Sequence, residues 1–112
     1  MAECRPVGRS INDLGDICAR AVVKLDTAAD ADTLADVATI VRLVGGHLRL
    51  RLTDRSDAAH AKRVIPASAM ALTAVDRHLK HLHLRDPGAR NTVGRSLRLV
   101  THVHRILAAL PA

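Results

Sequence analysis

The chain has 112 residues, 48% of them apolar and none of them Phe, Tyr or Trp, so it is sized for one domain whose core is wholly aliphatic. The missing rings exclude modules that stack bases on aromatic side chains, aromatic cages for cationic ligands and any tyrosine acid or base. The net charge is +6, unevenly placed: residues 1–40 hold 4 basic and 7 acidic side chains and residues 41–112 hold 13 and 4, a polarity that suits an anionic partner.

Ser10 or Asn12 is positioned to cap a first helix, in which Ile11, Leu14, Ile17, Cys18, Ala21, Val22 and Leu25 recur at spacings of three and four. This helix is predicted to end near Asp26. Thr27 to Asp32 reads as a polar connection, with Asp30 or Asp32 capping a second helix. There, Leu34, Val37, Val41, Val44 and Leu48 form one apolar stripe, while Ile40, Leu43, His47 and Leu50 form another beside it. A helix apolar on two adjacent stripes is either central in the fold or covered by a second subunit. A homodimer burying Leu34, Val37, Ile40 and Leu43 is the expectation. Gly45-Gly46 interrupts the pattern and suggests a kink or the close approach of another helix, because each glycine costs up to about 1 kcal/mol in a helix interior.

His47 to Leu52 and His81 to Arg85 alternate apolar and polar residues as a strand would. Helix is favoured in both, since the apolar members are all Leu and no hairpin turn separates partners. Thr53 to Asp57 reads as a turn, with a short extra helix from Asp57 to Val64. A third helix is predicted from about Pro66 to Leu84, with proline in its first turn. Asp86-Pro87-Gly88 ends it and starts a fourth, which carries Val93, Leu97, Val100, Val103, Leu107 and Leu110. These elements predict a single all-α domain over residues 1–112, an antiparallel four-helix bundle.

Cys4 and Cys18 stand in no metal or redox spacing, which suits a reducing compartment. The lack of a long apolar run or a leader-like N-terminus adds the expectation of a cytoplasmic protein without membrane attachment.

Seven histidines raise the question of metal or haem. In an up-and-down bundle His47, His102 and His104 share one level, while His78, His81 and His83 sit towards the other end. Neither group has an evident carboxylate partner, and no H-E-x-x-H or Glu-x-x-His motif is present. Surface histidines, with one buried and hydrogen-bonded, are therefore expected, and no metal or cofactor. Ser10, Ser56, Ser68 and Ser96 lie in no G-x-S-x-G elbow, and no P-loop lysine exists. An enzyme is not expected.

The fourth helix has the clearest polar pattern. Arg95, Arg98, His102 and Arg105 recur at spacings of three, four and three, and no acidic residue follows Asp86. Arg90, Asn91 and Thr92 in its first turn are residue types able to read base edges from a helix N-terminus. The segment Ala89-Arg-Asn-Thr-Val-Gly-Arg-Ser-Leu-Arg-Leu99 resembles the recognition helix of bacterial winged-helix repressors, without the usual turn or wing strands. Over residues 30–110, the run from Leu34 through Gly46-His47-Leu48-Arg49-Leu50 to a basic last helix is similar to small helical proteins encoded near natural-product gene clusters of high-GC bacteria. That resemblance implies an accessory or regulatory role in natural-product biosynthesis and supplies no catalytic residues. The expected function is non-enzymatic binding of another macromolecule, possible partners being a protein or nucleic acid. The alternatives are a DNA-binding regulator using the fourth helix and a histidine-liganded metal or haem binder.

Overall fold

The computed structural model describes residues 10–54 and 64–109, which form α1 (Ile11–Asp26), α2 (Ala31–Asp54), α3 (Val64–Lys80) and α4 (Ala89–Ala109) with no strand among them. The fold is an all-α four-helix bundle. Ser10 is the first cap, its Oγ accepting the Asp13 N–H at 3.0 Å, while Asn12 lies inside α1. Thr27 closes α1, donating its N–H to the Val23 carbonyl at 3.2 Å. Asp30 caps α2 by accepting the Thr33 N–H at 2.8 Å. That bond holds the Asp30 carboxyl below its ordinary range.

α2 passes unbroken through Gly45-Gly46 and takes in His47 to Leu52, so the first alternating run is helical and the glycines introduce no break. The second run is neither strand nor helix. α3 stops at Lys80, short of the predicted Leu84, and residues 81–88 turn into α4 through bonds from Leu82 N–H to Leu79 O and Asp86 N–H to His83 O. Leu82 and Leu84 pack against the core from that connection, so their alternation reflects a turning segment with every second side chain directed inward. The extra helix over Asp57–Val64 falls mostly outside the described residues.

Two ties set α1 antiparallel to α4. His104 donates from Nε2 to the Ile11 carbonyl at 2.7 Å at one end, and the Arg90 guanidinium binds the Leu25 carbonyl at 2.9 Å at the other. Between α2 and α3, Arg42 Nε donates to Asp76 Oδ1 at 3.0 Å. α2 packs against all three other helices. Its first stripe is therefore core: Leu34, Val37, Val41, Val44 and Leu48 are all buried.

This corrects part of the expected dimer surface. Leu34 and Val37 are covered by the chain's own helices, because α1, α3 and α4 surround that side of α2. Ile40 is half-buried against the core, and Leu43 alone of the four stands out, 61% exposed. No helix among the described residues is long and apolar enough to cross a membrane.

Candidate nucleic-acid interface

Arg95, Arg98, His102 and Arg105 all reach the surface of α4, forming a stripe that rises roughly 15 Å at 1.5 Å per residue. The helix forms this way because Val93, Leu97, Val100, Val103 and Leu107 bury the opposite face. None of the four cations has an ion pair or hydrogen bond among the described residues. Their charge is left for solvent or a ligand.

The first turn of α4 divides differently from the sequence expectation. Arg90 reaches across to α1, where its Nη2 donates to the carbonyls of Leu25 and Ala28. These carbonyls lie at and just past the C-terminal end of α1, where a cation complements the helix dipole; the Leu25 carbonyl also accepts the Ala28 N–H at 3.1 Å. Arg90 is thus a tie between α4 and the end of α1 and is not free to face a base edge. Thr92 turns its hydroxyl back to the Gly88 carbonyl at 3.2 Å. Asn91 is exposed without a partner among the described residues, and of the three it alone offers a free polar group. Arg90→Ala should lower stability by about 0.5–1.5 kcal/mol, the net worth of a typical hydrogen bond. Thermal unfolding followed by circular dichroism checks this; nucleic-acid affinity should stay unchanged in the same variant.

Beside the stripe, α3 and α4 leave a groove of about 330 Å³ lined by Ala71, Ala74, His78, Arg95, Ser96 and Leu99, among others. It arises because these two helices pack less extensively than the other neighbouring pairs. His78 brings a second helix's polar side chain to the edge that carries Arg95. Ser96, 7% exposed, has no hydrogen bond among the described residues. No sequence spacing links residues 78 and 95, so this groove has no local signal.

The described histidines do not converge. A methyl group on Gly45 would lie 3.9 Å from Val100, and with α2 and α4 running the same way this sets His47 level with His102. They share a height but not a site, since His102 faces outward while His104 is half-buried against α1. Among the described residues no three His, Cys, Asp or Glu side chains are grouped to hold a metal ion. Cys18 is a buried core thiol, pushed up from its ordinary pKa by burial against an opposing hydrogen bond with Thr101. Comparison with family models, curated proteins and solved structures gives no match.

Proposed function

We propose that this chain is a non-enzymatic accessory or regulatory protein that binds nucleic acid through the phosphate backbone, with the exposed face of α4 as its binding surface. The observation that carries the reading is the exposed stripe of Arg95, Arg98, His102 and Arg105, without a partner among the described residues, on a segment without an acidic residue after Asp86. An acidic protein would be the competing partner, but protein interfaces draw their affinity from apolar or aromatic anchors at the centre. Among the described residues the exposed large apolar side chains are Val22, Val23, Leu43, Leu50 and Met70, none of them on α4. A face of cations without anchors favours phosphates. With Arg90 tied to α1 and Thr92 bonded to its own helix, base reading falls to Asn91, and binding of low sequence preference is expected.

The test is titration of a labelled duplex between about 50 and 200 mM salt, where counterion release makes phosphate binding steeply salt-dependent. The triple variant Arg95→Ala, Arg98→Ala, Arg105→Ala should bind more weakly on every sequence, with a salt slope shallower by about 0.9 for each phosphate it no longer neutralises. Its circular dichroism should match the parent. Absence of duplex binding at the lowest salt, or equal binding by the triple variant, overturns the reading.

A further inference from the structure

α2 carries a second surface that the nucleic-acid reading does not use. Asp36, Thr39, Leu43, Gly46, Leu50 and Thr53 follow one another at spacings of three and four along its outer side, the seam of a coiled coil. Leu43 is 61% exposed and Leu50 66% exposed, the two large apolar side chains that α2 leaves in solvent. Between them, a side chain at Gly46 would begin with no atom of the described residues within 4 Å beyond its own stretch of helix. Glycine is disfavoured inside a helix, and here no other described residue uses the space it leaves.

We propose that a second copy of this chain covers this face, the two α2 helices lying antiparallel with Leu43 of each copy seated over Gly46 of the other. The charge pattern selects the occupant and its direction. Asp32 and Asp36 mark the N-terminal half of the seam, and Arg49, exposed and without a partner among the described residues, marks the C-terminal half. An antiparallel second copy sets acid against base and opposes the helix dipoles, whereas a parallel one sets like against like. The same register stacks Leu50 over Thr39 and brings Asp36 within reach of Arg49 at both ends, as a two-fold axis requires. Arg42, which this arrangement brings towards the other copy's Arg49, is already neutralised by Asp76 at 3.0 Å. Among the described residues Asp36 keeps only an exposed ion pair with Lys24 at 3.6 Å, which leaves its carboxylate able to take a second partner.

Sedimentation equilibrium on the full chain, without nucleic acid, tests this independently of the α4 reading. A dimer at micromolar concentration is expected. Leu43→Glu and Gly46→Met should each weaken it by about tenfold or more. Gly46→Met meets open space among the described residues of the single chain, so its helix content and melting temperature serve as the folding control. Asp36→Arg and Arg49→Asp should each weaken association, and the double swap should restore it. A wild-type monomer at about 100 μM, a dimer indifferent to Leu43→Glu, or a double swap no better than the single ones overturns the proposal.

Discussion

Replacing Leu48 with Ala is expected to cost about 2–5 kcal/mol, whereas Leu43→Ala, five residues earlier on the same helix, should cost less than about 0.5 kcal/mol. Leu48 is fully buried towards the C-terminal end of α2, and its removal leaves a cavity that surrounding aliphatic groups fill only in part. Leu43 is 61% exposed and gives up little on truncation. A domain of this size has about 5–15 kcal/mol of stability in total, and each kcal/mol moves the melting temperature by roughly 4–8 °C. Leu48→Ala should therefore melt roughly 10–30 °C lower, and Leu43→Ala within a few degrees of the parent. Measurement at a concentration dilute enough to hold the chain monomeric keeps any association through Leu43 out of the comparison. Equal destabilisation at the two positions would mean that α2 is not surrounded as described.

The helical glycines should respond in opposite senses to alanine. At Gly45 an added methyl group meets Leu72 and Val100 at 3.9 Å, an ordinary van der Waals distance, and at Gly46 it meets none of the other described residues within 4 Å. In the chain diluted to a monomer each substitution should raise stability by about 0.5–1 kcal/mol, the helix penalty of glycine, with no packing cost to offset it. Gly15 differs. A methyl group there would lie 2.7 Å from His104 Cε1 and 2.8 Å from Nε2, too close to a ring held by its bond to the Ile11 carbonyl. Since a carbonyl only accepts, Nε2 carries the proton in that bond. Gly15→Ala must swing the ring away, and the broken hydrogen bond, about 0.5–1.5 kcal/mol, cancels or exceeds the helix gain. In a His104→Ala background the same substitution should instead stabilise by about 1 kcal/mol. Denaturant unfolding of the four proteins in this cycle measures the coupling. A gain at Gly15 that is equal in both backgrounds would show that the ring does not depend on the notch.

Much of the bundle is legible locally because its signals are local. Ser10 and Asp30 stand before apolar periods and cap α1 and α2. Leu14, Cys18 and Ala21 in α1, and Val93, Leu97, Val100 and Val103 in α4, are buried where the three-and-four spacing places them. The stripe of Arg95, Arg98, His102 and Arg105 is likewise exposed as a single face, because a helix with a buried side must present its polar residues opposite. Composition alone determines that the core is aliphatic.

Tertiary packing decided the rest. The two apolar stripes of α2 look alike in sequence, and only the placement of three helices around one of them separates buried Val37 and Leu48 from exposed Leu43 and Leu50. Gly45 and Gly46 suggest either a kink or the close approach of another helix, and only the packing of three neighbours shows a helix that continues through them with Leu72 and Val100 beside Gly45. Gly15 gives a faint signal, an isolated glycine inside a regular amphipathic helix, but nothing nearby names His104 as what fills its space. Arg90 reads as a free cation until the carbonyls of Leu25 and Ala28 come beside it. Periodicity records which way a side chain faces on its own helix. It carries no record of which distant backbone group will stand opposite, because that depends on the register between helices, and register is settled only when the whole core closes.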